Sequence, residues 1–456
     1  MGKPAKSYVS TTNACKLCKP LGACLAFKGI EGAVPYLHGS QGCATYMRRY
    51  IISHFREPMD IASSSLGEKH AIYGGGPNLK LGLKNVITKY DCRLVGIATT
   101  CLTETIGDDT PMYLNEFRRE FKDLLDSHDS PELVSVSTPS YSGTHMEGFH
   151  EALRAVVDQI SRSGPRHSRI TIMPGFVSPA DTRYLKEIIG DFGMSATIFP
   201  DISTSLDGVA AVVYEKLASG GVPLSEIREM GASPASLEFG RTLDKAHTAA
   251  GLLENDYHIP CYSLGTPVGL RETDRFFETL SSLSHSPIPE KHEMERGRLI
   301  DAYVDAHKYS FGVRAVVYGE EDLVVGLTSF LAEIGVKVVL CASGGESGRL
   351  KEAVGSVTTD LLSEPPIVVE GVDFHEIAEI AERLHPDILI GNSKGYHLAR
   401  RWGVPFVRVG FPIHDRFGGQ RILHLGYRGA QSLLDGIVNA VIETRQEASD
   451  IGYTYY

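Results

Sequence analysis

Residues 93–109 read Arg-Leu-Val-Gly-Ile-Ala-Thr-Thr-Cys-Leu-Thr-Glu-Thr-Ile-Gly-Asp-Asp. The run Leu94–Thr100 is apolar and β-branched, bounded by a charged residue before and a cysteine after, so it reads as a strand. Cys101 then falls at the carboxyl end of that strand, the edge at which open α/β sheets place their ligands. The same grammar recurs along the chain: a short β-branched run, a turn with Gly, Ser or Pro, then an amphipathic stretch.

Working outward, the first part holds strand-like runs at Val34–Leu37, Arg93–Thr99 and Leu133–Val136, with a helix at Ala44–Phe55 whose Met47, Tyr50, Ile51 and His54 share one face. The chain turns polar over Ser161–His167. A second set follows at Ile170–Phe176, Ala196–Phe199 and Cys261–Leu264. Ser284–Lys291 reads as a connection and Glu293–Tyr309 as a long helix. Arg314–Tyr318, Lys337–Leu340, Ile367–Glu370, Asp387–Ile390 and Phe406–Val409 form the cleanest set, apolar enough for strands buried on both faces, with a helix at Asp373–Leu384 between them. The expectation is an α/β protein of three doubly wound, Rossmann-like domains with parallel sheets, bounded at 1–165, 166–292 and 293–456.

At 456 residues the chain exceeds one core, and 42% hydrophobic with 22% charged residues is the composition of a folded protein rather than a disordered one. Asp plus Glu outnumber Lys plus Arg, 56 to 45, and the net charge of −11 repels nucleic acid and anionic membrane. No apolar stretch is long enough to span a bilayer, and the N-terminus lacks the apolar core of a signal peptide. Eight cysteines in so long a chain are too sparse for a disulfide scaffold, which points to a reducing cytoplasm.

Three of those cysteines sit in distinctive runs: Cys18 in Cys-Lys-Pro-Leu-Gly-Ala (18–23), Cys43 in His-Gly-Ser-Gln-Gly-Cys-Ala (38–44), and Cys101 in the opening stretch. Cys43 opens a predicted helix, where the macrodipole and free backbone N–H groups favour a thiolate. Cys18 lies in an N-terminal extension able to fold over the same edge. Soft thiolates gathered in one domain suit an iron–sulfur cluster or zinc, and three are one short of the usual four, which suggests completion by another chain. The plainer reading is three unrelated buried thiols, since no compact CxxC…CxxC pattern exists. Cys15 and Cys18 form a lone CxxC. Cys92, Cys261 and Cys341 read as small buried hydrophobes.

The three runs resemble the cluster-binding motifs of the β-type subunit of nitrogenase component 1: Cys-x-Pro-x-Gly-Ala, His-Gly-Ser-Gln-Gly-Cys and Thr-Thr-Cys-x-x-Glu-x-Ile-Gly-Asp-Asp. The spacings, 25 residues from Cys18 to Cys43 and 58 from Cys43 to Cys101, agree with that family. Further matches are His-Phe-Arg-Glu-Pro (54–58), Thr-Pro-Ser (138–140), Gly-Asn-Ser-Lys-Gly (391–395), Val-Gly-Phe-Pro-Ile-His-Asp-Arg (409–416) and Leu-Gly-Tyr-Arg-Gly (425–429).

The resemblance implies three Rossmann-like domains, a homologous α-type partner in an α2β2 heterotetramer, and an iron–sulfur cluster shared at their interface. That cluster is an eight-iron P-cluster or a four-iron one. Cys18, Cys43 and Cys101 are then this chain's ligands. Ser140 matches a segment carrying an additional oxygen ligand in oxidised P-clusters, with a cap or turn hydroxyl as the alternative. Glu104, Asp108 and Asp109 fix the loop around Cys101. His38 is a loop-fixing residue, or a proton carrier or ligand; Arg408, Asp415 and Arg416 form a buried ionic cluster, with interface formation as the alternative; and Tyr453–Tyr456 is a docking tail. The chain has no Gly-x-x-x-x-Gly-Lys-Ser/Thr loop, and its glycine-rich turns at Gly74–Gly76 and Gly344–Gly348 read as connections. ATP hydrolysis is therefore expected on a separate iron protein.

Within the family the motifs divide. Residues 21–30 and 413–421 look closer to the scaffold chains on which the iron–molybdenum cofactor is matured. The full set of three cysteines favours a catalytic complex, a nitrogenase or a nitrogenase-like enzyme such as methylthio-alkane reductase. A binding protein with structural zinc is the third possibility.

Overall fold

In this computed structural model, residues 14–450 are described apart from 127–129, 211 and 214. The strands fall into three parallel sheets. The first runs β2-β1-β3-β4, from β1 (Ala33–His38), β2 (Ala62–Ser63), β3 (Leu94–Thr99) and β4 (Glu132–Val136). The second runs β6-β5-β7-β8, from β5 (Ile170–Met173), β6 (Ala196–Ile198), β7 (Ser236–Phe239) and β8 (Cys261–Leu264). The third runs β11-β10-β9-β12-β13, from β9 (Arg314–Gly319), β10 (Lys337–Ser343), β11 (Ile367–Val369), β12 (Ile388–Gly391) and β13 (Phe406–Arg408). In each sheet the strand order reverses once, between β1 and β3, β5 and β7, and β9 and β12. A crevice opens outside the carboxyl ends of the strands at such a reversal.

The apolar runs became strands buried on both faces: every residue of β1, β3 and β12 is buried. Three expectations shifted. β5 stops at Met173 because Pro174 follows, and proline cannot donate to a ladder. The helix expected at Ala44–Phe55 begins earlier, at Gln41, with Ser40 in the N-cap position. The Cys18 extension, given no secondary structure in advance, is a helix, Lys19–Lys28, started by Pro20 in its first turn and buried along all ten residues. A helix buried all round shows no amphipathic period, so the pattern that reveals surface helices was absent.

That helix is gripped by the helix His145–Ile160. A Cβ at Gly22 would stand 1.7 Å from the His145 carbonyl oxygen, and one at Gly148 would stand 1.9 Å from the Lys19 carbonyl oxygen. Backbones approach this closely only where no side chain intervenes. Phe27 lies across the strand face, over Gly96 of β3, where any Cβ would meet its ring at 2.3 Å.

The sheets are tied by aromatic and polar anchors. Phe411, carried beyond β13, packs 5.4 Å from Phe176 and 5.9 Å from Phe55 by ring centroid. The amide of Ile413 donates to His54 Nδ1 at 2.9 Å. Asp181, buried in the second domain's first helix (Pro179–Asp191), accepts from the amides of His424 (2.7 Å) and Leu425 (3.0 Å) and from His424 Nδ1 (2.8 Å). No helix among the described residues is long and apolar enough to cross a membrane.

Gly22→Ala is expected to destabilise by about 1–3 kcal/mol through overpacking of the helix crossing. Gly436→Ala, on the exposed face of the helix Gly426–Glu447 with nothing near its Cβ, is expected to stabilise by about 1 kcal/mol through helix propensity. Denaturant midpoints of the two variants check the contrast. Burial holds His54 down to about 3 and His145 down to about 4. At these two histidines the unfolded chain therefore binds protons below pH 6.5 that the folded chain refuses, and their contribution to stability falls as pH drops from 6.5 towards 4. A His54→Gln variant whose urea midpoint changes with pH across that interval just as the parent's does contradicts this account.

Candidate functional site

The parallel pairing of β1 with β3 sets His38 opposite Thr99. The two segments that leave these strands therefore start side by side, at the order reversal of the first sheet. From β1 the chain passes Gly39 and Ser40 into the helix Gln41–Phe55, placing Cys43 in its first turn. From β3 it passes Thr100, the N-cap, into the short helix Cys101–Ile106. β4 ends next to β3, and Thr138 hooks back onto it, its amide donating to Thr99 Oγ1 (2.8 Å) and its hydroxyl to the Thr99 carbonyl (2.7 Å). Ser140 then opens a 3-10 turn, Ser140–Ser142.

One carbonyl binds the two cysteine segments. The His38 oxygen accepts from the Thr100 amide (3.2 Å), Thr100 Oγ1 (3.1 Å) and Thr103 Oγ1 (3.0 Å). The approach is close enough that a Cβ at Gly39 would stand 2.2 Å from Thr100 Oγ1. Ser140 closes the third side: its amide donates to Cys101 Sγ at 3.2 Å, and its hydroxyl accepts from the Lys19 amide at 3.2 Å. Ser40 Oγ donates to Cys43 Sγ at 3.4 Å.

The three sulfurs converge. Cys18, Cys43 and Cys101 are each half-buried, and the Cys18 thiol lies in the electrostatic field of both others. Burial pushes the Cys18 thiol up, the Ser140 hydroxyl draws it down, and the neighbouring sulfurs add to the rise. Among the described residues, no three His, Cys, Asp or Glu side chains close around a single metal ion. The three cysteine segments instead meet along one rim, at the order reversal of the first sheet.

The remaining cysteines lie apart from this rim. Burial pushes Cys15 and Cys341 up to about 12 and Cys92 up to about 11, and raises Cys24 as well. Cys15, despite the CxxC spacing, packs into the core of the third sheet. Cys261 is half-buried rather than enclosed.

A family profile described as Nitrogenase component 1 type Oxidoreductase matches residues 18–442. The chain belongs to the nitrogenase component 1 family. Among its relatives, the nitrogenase molybdenum-iron protein beta chain of Clostridium pasteurianum is 33% identical over 94% of this chain and 93% of its own length. The nitrogenase vanadium-iron protein beta chain of Trichormus variabilis is 32% identical over 98% of this chain and 97% of its own length. The cofactor biosynthesis protein NifN of Bradyrhizobium diazoefficiens is also 32% identical, over 97% and 92%. A solved structure titled Nitrogenase Cp1 at pH 6.5 superposes with a TM-score of 0.94 at 31% identity, covering 100% of this chain and 98% of the other. The protein is thus a β-type member of an oxidoreductase family.

The acidic residues of this β-type chain hold the Cys101 loop. Glu104 Oε1 accepts from the hydroxyls of Thr99 and Ser137. Asp108 accepts from the Gly75 amide through both oxygens (3.1 and 3.0 Å) and contacts Nε2 of the enclosed His38 at 3.1 Å, while His38 Nδ1 meets Ser64 Oγ at 3.0 Å. Asp109 caps the helix Thr110–Glu120 through the Met112 amide at 2.8 Å. The Gly74–Gly76 turn is occupied by these contacts: a Cβ at Gly75 would stand 2.6 Å from Asp108 and 2.8 Å from His38. In the turn after β10 the Cys15 carbonyl lies 2.4 Å from a Cβ at Gly344.

Arg408 binds Asp415 bidentately (2.9 and 2.6 Å to Oδ2) and lies over the rings of Phe406 and Tyr396. Arg416 joins this ionic cluster at 3.7 Å from Asp415 and donates to the Asp415 carbonyl at 2.7 Å, but its side chain is exposed rather than buried. Tyr453–Tyr456 lie outside the described residues.

Sequence reasoning missed Lys394, whose Nζ donates to the Ala14 carbonyl and, at 3.3 Å, to that of Lys16. The motif Gly-Asn-Ser-Lys-Gly flagged the segment but not the distant backbone that the lysine reaches.

Asp108→Ala strips a buried charge partner from His38 and an acceptor from Gly75, so a loss of about 3 kcal/mol is expected. Asp91→Ala, exposed on the connection before β3, should stay within about 0.5 kcal/mol of the parent. Equal denaturant midpoints for the two variants contradict this.

Proposed function

We propose that this chain is the β-type subunit of a nitrogenase-like reductase complex, of nitrogenase or methylthio-alkane reductase type. In this reading it contributes half of an interfacial eight-iron P-cluster through Cys18, Cys43 and Cys101, with Ser140 beside them. An α-type chain supplies the other half in an α2β2 heterotetramer, and an ATP-dependent iron protein docks over the pair. The domains are 1–165, 166–292 and 293–456, the first carrying the cluster ligands.

The observation that carries this reading is the convergence of three soft, half-buried sulfurs on one rim. The donor set fits the group. Thiolates select iron–sulfur clusters among metal centres, and donors spread along a rim suit a polynuclear cage in which each sulfur takes a different iron. The bound cluster would supply one-electron storage between the iron protein and a cofactor held by the α-type chain. The chain's own residues hold the thiols in register: the His38 carbonyl fixes two cysteine segments, and the Ser140 amide and hydroxyl fix the third against Cys101. Large side chains left in water beside the rim, Tyr141 at 67%, Ile72 at 78% and Tyr73 at 82% exposed, support a partner-covered face.

A second reading, a NifN-type scaffold for iron–molybdenum cofactor biosynthesis, is favoured by the NifN relative, which matches as closely as the vanadium-type β chain. Iron and sulfide analysis with EPR on the anaerobically purified complex separates the two. Eight iron atoms per αβ unit at the interface support the reductase, whereas a four-iron signature without eight-iron redox states supports the scaffold. Cys43→Ala should lose interfacial iron and weaken co-purification of the α-type chain. Retention of full iron content and assembly would rule out the ligand assignment.

A further inference from the structure

We propose that the second and third sheets share a binding site for a small organic cation of the diamine class, in the cavity on which their carboxyl edges open. This goes beyond the cluster reading and does not depend on it. Each sheet reverses its strand order once, and open α/β sheets bind their ligands at such reversals. In the first sheet that place is taken by the cysteine segments. In the other two, β7 and β9 border the reversal, and the segments leaving them line one cavity of about 340 Å³, the size of a small-molecule pocket. Thr242 and Asp244 reach it from beyond β7, Glu320 and Asp322 from beyond β9, and Ser343 and Glu346 from the end of β10. The helix His145–Ile160 of the first domain closes another side with His145, Glu147 and His150.

The walls are rich in acceptors. Glu147, Glu320, Glu321, Asp322 and Glu346 all line the cavity, against Lys16 and Arg349. Arg349 is committed to Asp244 at 2.8 Å, and Glu151, on the same wall, to Lys19 at 2.8 Å. Backbone amides fix the carboxyl groups. Asp322 Oδ1 accepts from Arg241 (2.6 Å) and Thr242 (2.8 Å), Glu320 from Asp322 (2.9 Å) and Leu323 (2.8 Å), and Glu321 Oε1 from Ser347 (3.2 Å). Acceptors held in place beforehand spare a ligand the cost of ordering them.

Two buried imidazoles point the same way. His145 lines the cavity and is only 7% exposed, yet its Nδ1 has no hydrogen-bond partner among the described residues. The cavity shares His150, Glu320 and Asp322 with an enclosed space of about 30 Å³, lined also by His424. His424, 6% exposed, donates from Nδ1 to Asp181 at 2.8 Å, which leaves Nε2 a lone-pair acceptor, and that atom is unpartnered too. A buried polar atom without a partner costs free energy that a bound donor recovers. Carboxyl oxygens and an imidazole lone pair together suit a ligand that is rich in N–H donors and positively charged. A diamine has both, at two ends that separate walls can hold.

The test is equilibrium dialysis of radiolabelled putrescine against the purified full-length protein in its native assembly. Glu321→Gln keeps an acceptor for the Ser347 amide but removes the charge. Glu346→Gln does the same at an exposed position of the cavity, and Asp91→Asn removes an exposed charge before β3, at the opposite edge of the first sheet. The expected result is one saturable site per chain, weakened about tenfold in Glu321→Gln, weakened in Glu346→Gln and unchanged in Asp91→Asn. Absence of saturable binding at millimolar putrescine overturns the proposal, and so does a Glu321→Gln protein that binds as tightly as the parent. Equal weakening in all three variants also overturns it, as diffuse attraction to an acidic surface. Displacement of putrescine by an equimolar amount of Mg²⁺ at constant ionic strength overturns it in favour of a metal-ion site. If Glu321→Gln fails to fold, Glu346→Gln against Asp91→Asn decides.

Discussion

The His38 carbonyl oxygen is the point on which the site depends. It accepts from the backbone and hydroxyl of Thr100 and from the hydroxyl of Thr103, and so fastens the start of one cysteine segment to the end of the strand that launches the other. A carbonyl at the end of a parallel strand has lost its ladder partner and must find donors elsewhere. Here threonines provide them, and Gly39 leaves the room they need. The same residue's imidazole runs inwards to Ser64 and Asp108, and Asp108 in turn holds the Gly75 turn. Backbone and side chain of one residue thus lock three loops of the first sheet together, and the positions of Cys43 and Cys101 follow from that.

Cys18 arrives by a different route. Its helix is enclosed between the first sheet and the helix His145–Ile160, with glycines at the crossing and Phe27 seated on Gly96. The residues just before it belong structurally to the third sheet, where Cys15 is part of the core. The rim is therefore a place where the first and third sheets meet, although all its sulfurs come from the first hundred or so residues. A disturbance at the third sheet's carboxyl edge has a direct mechanical path to the site.

Much of this was legible beforehand, for identifiable reasons. Leu94–Thr99 and the strands of the third sheet are continuous apolar runs, and burial on both faces leaves that mark in composition alone. The helix expected at Asp373–Leu384 runs from Phe374 to Leu384, with Asp373 as its N-cap in a capping box with Glu376. β7 was not seen, because Ser-Leu-Glu-Phe is four residues long and carries a glutamate that belongs on surfaces. Burial pushes Glu238 up to about 7, and Thr248 supplies a hydrogen bond at 3.0 Å. The Lys19–Lys28 helix hid for the opposite reason: buried all round, it shows no polar face to give it a period.

The sequence by itself determined the α/β architecture and the three cysteine motifs, because strand burial and turn chemistry are written in residue type and local order. Only the tertiary structure decided that these sulfurs share one rim, that His38 is a clamp, and that Lys394 reaches the segment before Cys18. Those relations join residues 60 to nearly 400 positions apart. They arise from strand order and domain packing, which no local pattern encodes.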